Sequence, residues 1–499
     1  MTFFRSNRTL LITIAVAIII VFLATRGMSA PTAVSILLSG LTLGSLFFLV
    51  ASGLSLIFGL MDVLNFAHGS LFMLGAYAGW TIYTNPRLIL NTAPLGFALI
   101  AGVMLMPIVA RKISLPRVAR YVAALLAAAL VLLSVRDFPL QKLVAFGTTV
   151  SGQVVATVDA QESLNAMLTR FALMLVAGIV LSFAWARREK ANEETEGTKG
   201  TWSRIGAMTG LLVAALVMLF GRDAMEQVVL GTDSNLRFVI ALLVGAGTGA
   251  GLGALMEFGL IRPLYARPIY QVLLTLGLVF IFDQVVRLVW GPAGAFMQMP
   301  GWFANTGKEC PAPNLIDWFG LHCDAILVLG RPFPSYRLFI ILVGVVMLIG
   351  IGALLRGSRL GMIIRAGVQD SAMVEALGIN VRRVFTIVFA LGAGLAGLGG
   401  VVATPFLGVY PGMALEFLLQ AFIVVVIGGL GSVPGAALGA LVVGLARAYG
   451  DQVVLTGIQL PFMTEPFTGS PAIARASTVL IMVIVLLLKP TGLLGKKEG

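Results

Sequence analysis

Long apolar runs recur from one end of this chain to the other, and they constrain its fold more than any single motif does. Residues 9–25, 33–58, 271–290, 338–355 and 472–488 each come near the roughly 20 residues that carry a helix through hydrocarbon. Backbone inside a bilayer has to bond to itself, so such runs form helices unless they close as a barrel, and the short alternation of barrel strands is absent. With 59% hydrophobic residues against 11% charged and a mean hydropathy of +0.99, a soluble class is excluded. The expectation is an all-α integral membrane protein of about 14 transmembrane or partly broken helices, with both termini cytoplasmic.

The net charge of +12 does not indicate nucleic acid, because Lys and Arg stand in short clusters between apolar runs, where they orient spans with the basic side in the cytoplasm. Arg5 and Arg8 precede the first run as in a secretory signal, but Met28 stands where a cleavable signal needs a small residue, so this span is expected to be retained. Residues 186–204, ARREKANEETEGTKGTWSR, read as a solvated linker. Gly245, Gly249 and Gly253, with Gly247 and Gly251 offset by two, form rows that let helix backbones touch. Asp283 and Arg287, four apart, can neutralise one another on one helix face. In the polar segment before residue 336, Cys310 and Cys323 form one disulfide if the space is oxidising, or stand as two lone thiols. His322 alone supplies too few ligands for zinc, so no metal site is expected. Trp302, Phe303, Trp318 and Phe319 of the same segment suit either a partner surface or anchoring at the membrane interface.

Residues 356–383, RGSRLGMIIRAGVQDSAMVEALGINVRR, are a basic interruption between two apolar runs and so belong on the cytoplasmic side. Asp370 or Ser371 can open a short helix bearing Met373, Val374 and Leu377, and Gly378 is suited to end it. One or two turns do not stand alone, so the helix needs support. Its apolar side chains suit a shallow groove on a partner, and the plainer reading is a solvated loop. Further motifs are Asn65-Phe66-Ala67-His68-Gly69, Glu257 followed by Ile261-Arg262-Pro263-Leu264, GGLGSVPG at 428–435 and PTGLLG at 490–495. In the third of these, glycines permit positive φ and Pro434 can start a helix.

Taken in order, these motifs resemble the branched-chain amino acid permease family, the membrane subunits of a class of ATP-binding-cassette importers. Arg365-Ala366, Asp370, Ala376-Leu377-Gly378-Ile379-Asn380 and Arg382-Arg383 are similar to its cytoplasmic coupling loop, and the likeness covers residues 41–80 and 236–496. One departure is Phe258, where the family carries Arg after the acid. The resemblance implies N-terminal membrane helices at 1–84, an inserted membrane segment with a charged linker at 85–235, and a permease core at 236–499. It also implies ATPase coupling through Arg365, Asp370, Ala372, Met373, Glu375, Leu377 and Gly378. A translocation path at Asn65, His68 and Gln420 is expected, although His68 also reads as a helix-mouth residue bonded to backbone. Packing roles fall to Gly245, Gly249, Gly253, Gly428, Gly429, Gly431 and Pro434.

The partners implied are a second permease, two ATP-binding subunits and a periplasmic solute-binding protein, in a bacterial inner membrane. ATP and Mg would sit in the partner subunits, since the chain has no G-x-x-x-x-G-K-[ST] phosphate loop and no cofactor of its own is expected. An ion-coupled secondary transporter is the alternative; it needs ion ligands at broken helices, and only scattered acids occur. An intramembrane enzyme ranks last, since no G-x-S-x-G exists.

Overall fold

The computed structural model describes residues 29–105, 116–136, 163–185, 198–265, 267–369, 371–456, 471–489 and 492–494. The expected first span at 9–25 and most of the charged linker lie outside them. Among the described residues, ten helices are long and apolar enough to cross a membrane, and Met413–Gly428 and Thr478–Leu487 are shorter apolar helices. In chain order the helices are α1 (Ala30–Met61), α2 (His68–Thr84), α3 (Pro86–Val103), α4 (Arg117–Val135), α5 (Leu164–Trp185), α6 (Thr198–Gly231), α7 (Ser234–Met256) and α8 (Pro268–Trp290). Then follow α9 (Leu315–Leu321), the strands β1 (Ala325–Val328) and β2 (Arg331–Pro334), α10 (Ser335–Gly357), α11 (Arg359–Gln369), α12 (Ser371–Ala376), α13 (Val381–Leu407), α14 (Met413–Gly428), α15 (Val433–Thr456) and α16 (Pro471–Leu488).

The chain divides into two compact units, Met1–Trp80 with Ser234–Gly499, and Thr81–Asp233. In the smaller unit, α5 packs between α3 and α4, and α6 lies on α3. Its core is Leu95, Ala98, Met167, Phe171, Met174, Ala215 and Leu219. An ion pair of Arg87 with the largely buried Glu226 at 2.5 Å joins α3 to α6.

The larger unit is built around α1. A helix apolar all round has to be enclosed on every side, and residues 46–57 of α1 are all buried, with α10, α13, α14 and α15 packed about it. Lipid supplies no hydrophobic drive between helices, so close approach of backbones has to do that work. Gly245, Gly249 and Gly253 do so: α7 lies along α13, and a Cβ added at Gly249 would stand 2.4 Å from the Ala393 carbonyl oxygen. At the centre α2, α7 and α13 converge on Gly75, Gly245 and Gly397, where a Cβ on Gly75 would fall 2.3 Å from Gly397 Cα. The offset row is a correction to the sequence reading. Gly247 and Gly251 have nothing within 4 Å of where a Cβ would be, because a spacing of two puts them on the helix face turned away from α13.

Between α8 and α10 the chain forms a small covalently closed module. Cys310 and Cys323 are bonded, with Cα atoms 5.5 Å apart. A two-residue turn, Leu329 at φ 49° and Gly330 at φ 80°, closes the β1–β2 hairpin, the pairing of two positive φ values that favours hairpin closure. The four aromatic residues of this segment do not act as one surface. Phe303 is buried and stacked on Trp318 at 5.6 Å, while Trp302 and Phe319 are exposed. Ring packing of Phe303 on Tyr336, whose hydroxyl donates to the Val402 carbonyl at 2.8 Å, seats the module on α10 and α13.

Candidate functional site

The 23-residue α10 separates this module from a corner of two short helices, α11 and α12, that carries the predicted coupling residues. Ser358 accepts the Gly361 amide at 2.9 Å and turns the chain into α11, which packs on α1, α10 and α13. The six-residue α12 then ends in a Schellman motif: Ile379 N donates to Val374 O at 3.3 Å and Gly378 N to Glu375 O at 2.9 Å, with Gly378 at φ 80°. Two residues on, Asn380 caps α13 by accepting the Arg383 amide at 3.1 Å. Leu-Gly-Ile-Asn is thus a helix stop followed at once by a helix start. Val374 is 3% exposed and anchors α12, whereas Met373 and Leu377, one turn apart, are 62% and 71% exposed. Arg365, Glu375 and Gly378 are exposed as well. Asp370 lies outside the described residues, as does the side chain of Ala372.

Beside this corner the Glu257–Arg262 motif read in sequence gathers a cluster whose other members, Tyr265 and Thr386, the sequence did not single out. After α7 the helix widens into a π turn, Glu257–Ile261, and tightens into a 3₁₀ turn at Arg262–Leu264. The π turn brings Glu257, fully buried, against the start of α13. Its carboxylate accepts from Arg262 Nη2 at 2.9 Å and Nε at 3.1 Å, from Thr386 Oγ1 at 2.6 Å and from the Tyr265 hydroxyl at 2.5 Å. Burial first, and then the bond to Glu257, push the Tyr265 phenol above its ordinary range, so it stays a donor. Phe258 has its own part here, with the Arg262 guanidinium 4.9 Å from its ring. The signal available in sequence was an acid at the edge of a glycine-rich span, five residues before an Arg.

Towards the other end of the same unit is a cavity of about 430 Å³ among α1, α10, α13, α14 and α15. Apolar walls come from Leu43, Phe47, Phe406 and Phe417, and polar groups from Ser39, Arg337, Tyr410, Glu416, Gln420, Arg447 and Asp451. Of the residues predicted for a path, Gln420 is here. Asn65 and His68 do not line this cavity: both are buried, the Asn65 Oδ1 accepting the Ala67 amide at 3.1 Å. His68 Nε2 lies 3.1 Å from the Val50 carbonyl, which only accepts, so that nitrogen carries the proton. The ring fits because Gly53 opposes it; a Cβ there would stand 2.9 Å from Nε2. The Asn-Phe-Ala-His-Gly motif therefore ties the opening of α2 to the middle of α1. Asp283 is paired with Arg287 at 2.7 Å and accepts the Gly412 amide at 2.9 Å, a structural role.

Two motifs distant in sequence meet. Gly429 and Gly431 have φ of 102° and 74°, and Gly428 lies against Gly435 so tightly that a Cβ would fall 2.3 Å from the Gly435 carbonyl. Pro434 occupies the first turn of α15, where its missing amide costs nothing. Onto this hinge folds the closing segment, Leu493 and Leu494 donating to Ile427 and Gly428 carbonyls at 2.7 and 2.9 Å.

Comparison with known proteins agrees with this order of motifs. A family model described as "Branched-chain amino acid transport system / permease component" matches residues 36–189 and 202–488. The chain belongs to that family. It is 32% identical over 204 residues to the high-affinity branched-chain amino acid transport permease BraD of Pseudomonas aeruginosa, covering 41% of this chain and 61% of the relative. Against the LivH permease of Escherichia coli K12 it is 34% identical over 145 residues, or 29% and 42% of the two chains. A ribose import permease, RbsC of Escherichia coli, is 28% identical over 241 residues, 47% and 66% of the two. The alignments thus span about two-fifths to two-thirds of these relatives. No solved structure matches. The relatives to which the chain is similar are thus named for amino acids and for a sugar alike.

Proposed function

We propose that this chain is the membrane permease subunit of an ATP-binding-cassette importer for branched-chain amino acids or related small polar solutes. It works with a second permease, two ATP-binding subunits that hold ATP and Mg, and a periplasmic solute-binding protein, in the bacterial inner membrane. On this reading the chain has about 14 membrane segments with both termini cytoplasmic, and the basic 356–383 corner lies inside the cell. The observation that carries the reading is the pattern of burial at α12 and its C-terminal stop: Val374 is buried, while Met373 and Leu377, one turn apart, are mostly exposed. A motor subunit closing on that pair shifts the permease only if its contacts differ between the inward and outward states.

The test is to purify the chain from its native membrane, identify what accompanies it, and measure whether leucine or ribose stimulates ATP hydrolysis by the assembly. Leu377→Asp should cut ATP-driven uptake while leaving membrane insertion intact. Uptake equal to wild type removes the assigned contact, and purification with no ATPase removes the importer reading.

A further inference from the structure

The cavity of the larger unit is unequally satisfied, and the imbalance carries chemical information. Arg447 and Asp451 neutralise each other on α15 at 3.3 Å, and Glu416 accepts the Tyr410 hydroxyl at 2.9 Å. Arg337 is different. Its guanidinium lies 4.8 Å from the Phe406 ring, and Nη1 donates to Ser39 Oγ at 3.3 Å; among the described residues it has no carboxylate partner. A guanidinium offers five donors in a planar fork suited to a carboxylate, so most of this fork is unfilled. On the facing helix Gln420 is 8% exposed, and its Oε1 is buried with no donor. Glu416 and Gln420 are four apart on α14 and so share one face, and both line the cavity.

We propose that this cavity is a solute site for an amino acid zwitterion, Arg337 taking the carboxylate and the Glu416–Gln420 face taking the ammonium group. Phe47, Phe417 and Leu43 then surround an apolar side chain. A cavity of about 430 Å³ falls within the range of small-molecule sites. A neutral sugar is the poorer occupant, since its hydroxyls bring no carboxylate to the partly buried Arg337 guanidinium. The assignment deepens the importer reading by naming the solute, and rests on it for direction of transport.

Both cysteines of the sequence are in the disulfide, so Ser35→Cys, on the cavity wall, introduces a single thiol. The rate of its reaction with a soluble maleimide is measured on the full chain in lipid nanodiscs. Leucine should slow labelling in a saturable way, while leucine methyl ester, which lacks the carboxylate charge, and ribose should not. Arg337→Gln in the same background should weaken leucine protection by roughly tenfold or more, as loss of a charge-assisted pair does. Arg337→Lys should retain part of the protection, and Glu416→Gln should weaken it. Labelling at the rate of the Ser35→Cys parent without solute shows that the cavity is intact in each variant built on it.

Equal protection by the ester or by ribose, or undiminished protection in Arg337→Gln, overturns the proposal. Protection by leucine in a chain that purifies without an ATPase keeps the site and removes the importer reading. ATP-driven uptake with no leucine protection does the reverse.

Discussion

Replacing Glu257 with alanine tests whether the buried clamp at the end of α7 holds α13 in place. The carboxylate is fully buried and receives four hydrogen bonds from three side chains: Arg262, Tyr265 and Thr386. Removing one side of a buried charged pair costs roughly 3–5 kcal/mol, because the partner left behind has lost both water and counter-charge. The Arg262 side chain is 25% exposed and recovers some hydration, so the lower end of that range applies. At one factor of ten per 1.36 kcal/mol, about 3 kcal/mol raises local opening on the order of 150-fold. The assay is amide hydrogen exchange by mass spectrometry in nanodiscs, reading peptides over 258–265 and 382–388 against peptides from 164–185 of the smaller unit. Those first two should exchange faster by about two orders of magnitude, with the third unchanged. Thr386→Val should cost about 1.5–3 kcal/mol, and the double variant should cost less than the two summed, since the groups share one network. Exchange within about threefold of wild type in Glu257→Ala would show that the clamp bears no load, and the reasoning fails.

The clamp's pH response has a definite sign. Burial and Glu257 raise the folded pKa of Tyr265, so its stabilisation is complete below the unfolded value near 10 and is lost only as pH rises through the higher folded value. Protection at 258–265, corrected for intrinsic exchange rates, should stay flat between about pH 6 and 9; a fall within that window contradicts the assignment. Gly378→Ala puts a Cβ on a residue at φ 80° and should cost roughly 1–2 kcal/mol, seen as faster exchange over 373–379 and weaker uptake. Gly397→Val should abolish recovery of folded protein in detergent, because a side chain there meets backbone of α7; a normal yield refutes the three-helix junction. Cys310→Ser with Cys323→Ser opens a loop of 13 residues' separation and should cost about 3 kcal/mol, read as faster proteolysis within 291–334 while α11 and α12 keep their protection.

Membrane class and the helix stop and restart at Gly378 and Asn380 were legible in sequence because each is local: hydropathy over a helix length, and a glycine two residues before a capping asparagine. Other features turn on which face a side chain presents or on what lies across from it. Gly245 and Gly247 are equivalent in composition, yet only the first meets α13. Met373 and Val374 are neighbours of similar polarity, yet one faces out and one in. The cavity brings Arg337, Gln420 and Ser39 together from three helices far apart in the chain, and Glu257 gains its meaning from Thr386, 129 residues away. Period and composition alone determined that these segments are helices in lipid. Which of their polar atoms end satisfied and which are left wanting a partner was decided only when the helices packed, since burial and pairing are properties of neighbours rather than of residues.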